Sequence, residues 1–166
     1  DLLKKYGNDQ VKVSSETVLL WNQAAIDVVI QTQKLIPDPP IPPFLESRFY
    51  AMVNVAMHDA LNNIIPVAEP YALKNAADKH ADPDAAVAQA AHDVIVAFYG
   101  KLNPPAFVTP QPVKDLITAL LKTTLDKVKN PEAKEKGIEL GKSAAKAILE
   151  NRTNDGLAEA MFPVSE

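Results

Sequence analysis

The chain has no cysteine. That excludes disulfides, thiol catalysis and any zinc or iron–sulfur site that needs thiolate ligands. It has one tryptophan, and aromatic residues make up only 6% of it, so a core has to be built mainly from Ala, Val, Leu and Ile. Glycine-rich phosphate loops, a nucleophile elbow and a His-Glu-x-x-His helix are all missing from the sequence. No apolar run approaches the roughly 20 residues of a membrane span, and no charged-then-apolar leader opens the sequence. There is no basic stripe either. Lys and Arg number 17 against 21 Asp and Glu, giving a net charge of −4 that is mixed along the chain. This argues against a nucleic-acid partner. Alternating strand patterns and repeats of fixed period are absent as well.

What remains is the pattern of a helical domain. At 166 residues and 47% hydrophobic, the chain is long and apolar enough for one domain with a real core. It opens at Asp1 without Met, which points to a processed or truncated start. Of the 14 prolines most gather at junctions: residues 36–43, positions 66 and 70, and residues 104–112. Five helical segments lie between them, so the expected fold is all-α, a bundle of about five helices joined by Pro-rich loops. Residues 1–13 read as an N-terminal extension and 14–157 as the helical domain. Residues 158–166 read as an extended tail or truncation point, with the apolar run Met161-Phe162-Pro163-Val164.

The first helix starts at Ser14 or Ser15, either able to cap it, and carries Val18, Trp21, Ala25, Val28 and Val29 at helical spacing. The second is expected over residues 44–65, with Phe49, Met52, Val53, Ala56, Ala60 and Leu61 as its buried stripe and Pro66 as its stop. Residues 67–82 form an irregular connection, with a short turn of helix near Ala76. The third helix opens at Pro83 behind an Asp82 cap and buries Val87, Ala91, Val94, Ile95 and Phe98. The fourth is lined by Val113, Leu116, Ile117, Leu120, Leu121 and Val128. Asn130-Pro131 divides it from the fifth, residues 132–151, where Gly137, Gly141 and Ala145 recur every fourth residue. Such a flat stripe reads first as tight packing inside the domain, since glycine costs roughly 1 kcal/mol in a helix. A groove for a partner is the other reading.

Few residues can carry chemistry. His58-Asp59 and His92-Asp93 are two matched dipeptides, each within a helix, and together they are the candidate metal ligands. The pattern resembles in miniature the HD-type metal phosphohydrolases, but that family also needs an upstream His and a distant Asp, and His80 lies between the dipeptides instead. Adjacent helical residues also point about 100° apart. Ser47-Arg48 with His58 suggests an oxyanion-binding Arg beside a nucleophilic His. Ten residues of helix span about 15 Å, however, so the two cannot close on one phosphate. Arg48, Asp59, Arg152 and Asp155 are therefore expected to act as structural polar anchors, and no residue is assigned as catalytic or cofactor-binding.

Four segments, in order, resemble the N-terminal helical region of bacterial vanadium-dependent haloperoxidase-related proteins, in the superfamily of type-2 phosphatidic acid phosphatases. They are Trp21-Asn22-Gln23-Ala24-Ala25; Ser47-Arg48 with Ala51-Met52 and His58-Asp59-Ala60-Leu61-Asn62; Ala90-Ala91-His92-Asp93-Val94 through Phe98-Tyr99; and Gly137, Gly141, Ala145, Ile148-Leu149, Arg152 and Asp155-Gly156. The match spans roughly residues 16–157. The resemblance implies an all-helical parent that binds vanadate or phosphate through a Lys-x6-Arg-Pro segment, a Pro-Ser-Gly-His segment and a Ser-Arg-x5-His segment. None of these occurs in this sequence: Ser47-Arg48 would require His at position 54, which is Asn54.

The function implied is an N-terminal scaffold of a haloperoxidase-like or acid-phosphatase-like enzyme. Its partner would be the C-terminal catalytic helical bundle of the same protein or a second subunit. Vanadate would belong to the parent, not to this chain, and the location would be secreted or periplasmic. Two other readings stay open: a stand-alone helical interaction module using the Gly137/Gly141/Ala145 face, and a small metal-dependent hydrolase built on His58, Asp59, His92 and Asp93.

Overall fold

A computed structural model describes residues 15–35, 40–74, 76–101 and 110–156. The N-terminal extension, the junctions at 36–39 and 102–109, and the tail from 157 onward lie outside the described residues, as do the expectations made for them. Among the described residues five helices follow one another: α1 (Ser15–Leu35), α2 (Pro43–Asn62), α3 (Pro83–Lys101), α4 (Gln111–Lys127) and α5 (Pro131–Asn151). Among the described residues there is no strand, and the class is all-α.

The helix starts follow local chemistry. Four helices place proline in the first turn, where its missing N–H has no intrahelical partner to lose. Asn130 caps α5 through its side chain, accepting from the backbone N–H groups of Glu132 and Ala133. Asp82 caps α3 by accepting from the backbone N–H of Ala85 at 2.9 Å. The fifth helix ends in a turn at Gly156, whose φ of 82° is a left-handed conformation that glycine adopts freely.

The alanine-rich α3 is the centre of the bundle. It packs against α5, α2, α4 and α1, and its Ala85, Ala86, Ala88, Ala90 and Ala91 are all fully buried. Small side chains around the whole circumference of one helix let several neighbours approach it at once. Larger groups then fill the spaces between axes: Trp21 from α1, Phe49 and Val53 from α2, Val94 and Ile95 from α3, Ile148 from α5. Each such burial contributes about 1.5–3 kcal/mol. Phe49 and Phe98 also pack tilted, with ring centroids 5.1 Å apart.

The closest approach is between α3 and α5. A Cβ added at Gly137 would lie 2.6 Å from the carbonyl oxygen of Asp82, and one at Gly141 would lie 2.5 Å from that of Ala86. The stripe that could have been a groove for a partner is filled by α3 of the same chain.

Three expectations need correction. The second helix stops at Asn62, not near Ile65, because Asn62 and Asn63 turn their side chains onto the following loop. In α4, Val113 and Ile117 are buried but Leu116 is 55% exposed, so the helix meets the bundle along a narrower face than its apolar content suggests. The short turn in the connection falls at Lys79 and His80; Ala76 is not helical.

Candidate functional site

The polar residues singled out in the sequence fall into three groups. The first is the end of α2, His58-Asp59-Ala60-Leu61-Asn62-Asn63. Asp59 is completely buried. Its Oδ1 accepts from the backbone N–H of Tyr71 at 2.6 Å, and its Oδ2 accepts from those of Ala72 and Leu73 at 2.6 and 2.7 Å. A buried carboxylate is tolerable only when its lone pairs are met, and here three successive amides of the connecting loop meet them. Asn62 repeats the device: its Oδ1 accepts from Val67 and Ala68 N–H, and its Nδ2 donates to the Ala68 carbonyl. Asn63 donates from Nδ2 to the carbonyls of Asp59 and Leu73, and its Oδ1 accepts from Ala76 N–H. Together they hold Val67, Ala68, Tyr71, Ala72, Leu73 and Ala76 against the end of α2. His58 sits outside this cradle, its imidazole half-exposed and donating from Nε2 to the Glu69 carbonyl at 3.2 Å.

The second group joins the start of α2 to the end of α5. Arg48 donates from Nε and Nη2 to the two carboxylate oxygens of Asp155, both at 3.1 Å, and from Nη2 to the Arg152 carbonyl at 2.8 Å. Its guanidinium carbon lies 5.8 Å from the centre of the Phe98 ring. Arg152 in turn donates to the Tyr71 hydroxyl, with its guanidinium 5.5 Å from that ring's centroid. Tyr71 is thereby shared: its backbone is held by Asp59 and its side chain by Arg152. The four expected anchors are brought into one continuous set of contacts spanning α2, the loop and the C-terminal end of α5.

The third group is on α3. His92 Nδ1 and Asp93 Oδ1 are 2.8 Å apart, and Gln89 donates to the same carboxylate oxygen at 2.8 Å. The His92 ring meets Trp21 edge to face, with centroids 6.5 Å apart. Trp21 Nε1 and His92 Nε2 are buried and have no hydrogen-bond partner among the described residues.

The two His-Asp dipeptides are not brought together into a metal site. Among the described residues no group of three or more His, Cys, Asp or Glu side chains is arranged to hold an ion, and every oxygen of Asp59 is already committed to backbone amides. Nor do these residues fit vanadate or phosphate. An oxyanion needs converging donors without a competing anion, and the best donor, Arg48, faces the Asp155 carboxylate. The cleft of ≈ 450 Å³ between the starts of α1 and α3 and the end of α4 is no better, since Glu16, Asp82 and Asp84 line it alongside Lys127 and Lys129.

Burial pushes the Tyr50 hydroxyl well above its ordinary range, and its hydrogen bond to the Glu46 carboxylate adds to the shift. On the surface, Lys122 lowers the Asp126 carboxyl and is itself raised, and Lys136 and Glu132 do the same to each other through side-chain hydrogen bonds.

Sequence reasoning missed Asn62, Asn63 and Tyr71. The two asparagines carried a signal, standing where an apolar helix gives way to a long irregular segment, the position at which amide side chains stand in for backbone partners. Tyr71 carried none.

A family model described as vanadium chloroperoxidase N-terminal domain matches residues 7–164, nearly the whole chain. No curated protein and no solved structure matches the chain significantly. The chain belongs to the family of vanadium chloroperoxidase N-terminal domains.

Proposed function

We propose that this vanadium chloroperoxidase N-terminal domain is the helical scaffold of a larger haloperoxidase-like enzyme, and that it supplies no group to the oxyanion site. The observation that carries this reading is the commitment of Arg48. Its guanidinium is bonded to Asp155 and to the Arg152 carbonyl, which locks the turn after α5 onto the start of α2. Asp59 is spent in the same way on the loop amides of Tyr71, Ala72 and Leu73. Both are structural uses of groups that an oxyanion or metal site would need free. Vanadate, as the resident group of the parent, supplies peroxide activation and halide oxidation; its ligands lie in the catalytic domain that follows this one. That domain is the partner of the scaffold, and the parent works outside the cytoplasm.

The test is direct. The purified chain is assayed with hydrogen peroxide and bromide, with and without added orthovanadate, and with a chromogenic phosphate monoester. Turnover at the background rate in every mixture is expected. Vanadate-dependent bromination, or ester hydrolysis abolished by Arg48→Ala, would defeat the scaffold reading.

A further inference from the structure

Helix α1 is apolar on two sides. Trp21, Ala24, Ala25, Val28 and Val29 face the core. On the other side Leu19, Ile26 and Ile30 are 64%, 41% and 43% exposed. Their spacing of seven and then four residues places all three within about 40° of one another around the helix. Charge is sparse along this helix: Ser15–Leu35 holds only Glu16, Asp27 and Lys34. Beside the stripe, Gln23 donates to Asp27 at 2.9 Å, so the one acid in the middle of this helix is paired with a neutral neighbour on the same helix. A surface helix exposed to solvent for good normally carries charge on its outer face. An outer face of this composition suits a second layer of helix.

We infer that the Leu19, Ile26 and Ile30 face of α1 is the seam along which this domain packs onto the catalytic domain of the same polypeptide. This rests on the scaffold reading and gives its partner a definite surface. The occupant follows from two observations. The family is an N-terminal domain, so a following domain is tethered to it and present at high effective concentration. A self-associating surface, by contrast, needs about 800 Å² per partner, and three side chains do not supply that, so a second copy is the poorer fit. Leu116 on α4 and Val67 in the loop are also exposed apolar side chains, but they stand on other elements.

The absence of cysteine makes the test specific. Ile26→Cys and, as a control, Leu116→Cys are each introduced into this chain and into the full-length parent. Maleimide labelling of the peptide that carries each new thiol is followed by mass spectrometry. At Ile26→Cys labelling is expected to be at least 10-fold slower in the parent than in the isolated chain, while at Leu116→Cys the two rates agree. Equal rates at Ile26→Cys in both samples would overturn the inference. So would protection that grows with the concentration of the isolated chain, which would assign the face to a second copy. A gene that ends with this domain defeats the scaffold reading and the seam together, whereas equal labelling with a catalytic domain present defeats the seam alone.

Discussion

Arg48 and Asp155, 107 residues apart in sequence, meet through two hydrogen bonds of 3.1 Å. Both side chains are about four-fifths covered, so the pair is neither a solvent-screened surface contact nor a fully desolvated one. With the third bond from Arg48 to the Arg152 carbonyl, it fixes the residues after α5 against the start of α2.

Arg48→Ala is expected to lower stability by about 1–3 kcal/mol, the range for a lost charge-assisted bond with a stranded partner. Arg48→Lys should recover only part of this, because an ammonium cannot span both carboxylate oxygens. Urea denaturation of Arg48→Ala, Asp155→Ala and the double variant checks it. A coupling energy near zero in that cycle would mean that the contact is incidental.

Asp59→Asn tests the loop cradle. The amide is nearly isosteric but turns one acceptor into a donor aimed at backbone N–H groups. The loss should therefore approach that of Asp59→Ala, about 2–4 kcal/mol. Amide exchange at Tyr71, Ala72 and Leu73 should accelerate in both variants while exchange in the middle of α3 follows only the global change. Unchanged exchange at those three amides would contradict the geometry.

Gly141→Ala should destabilise the domain although alanine is the better helix former by about 1 kcal/mol. The new methyl would lie 2.5 Å from the Ala86 carbonyl oxygen and 2.7 Å from the Gln89 Cβ, so α3 and α5 must separate. A net loss of about 1–3 kcal/mol is expected, as for overpacked cores. Thermal unfolding measures it, with the exposed Ser143→Ala as the control that should be near neutral. A rise in melting temperature for Gly141→Ala would show that the two helices are not in such close contact.

Alkaline pH should act through Tyr50. Its folded-state pKa is raised by burial and by Glu46, while the unfolded chain loses the phenolic proton at about pH 10. Above that value the unfolded state binds fewer protons than the native one, so stability falls as pH rises. Below it Tyr50 is protonated in both states and contributes no slope. Denaturant midpoints measured from pH 8 to 11 should fall less steeply for Tyr50→Phe than for the unaltered chain. Identical profiles would remove Tyr50 as the cause.

Much of this protein was legible in its residues. Pro83 behind its Asp82 cap, Asn130-Pro131 as a divider, and the 3.6-residue spacing of the apolar stripes placed five helices in the right order, because each is a property of neighbours within a few residues. The four short segments that pointed to the family did so for the same reason: they are local strings. The errors were local conflicts settled at a distance. Leu116 continues the apolar pattern of α4, yet no helix lies opposite it among the described residues, and its exposure follows.

The sequence by itself determined the all-helical class, the helix order, the absence of thiol chemistry and the mismatch at Asn54. It also marked Arg48, Asp59, Arg152 and Asp155 as polar groups needing an explanation. Only the tertiary structure decided what satisfies them. A buried carboxylate can be met by a metal, a guanidinium or backbone amides, and its own helix does not say which. For Asp59 the answer comes from a loop twelve to fourteen residues on, and for Arg48 from a turn 107 residues away. The glycine stripe of α5 likewise announced a close approach but not its partner. That choice fell to α3, whose alanines leave the space for it.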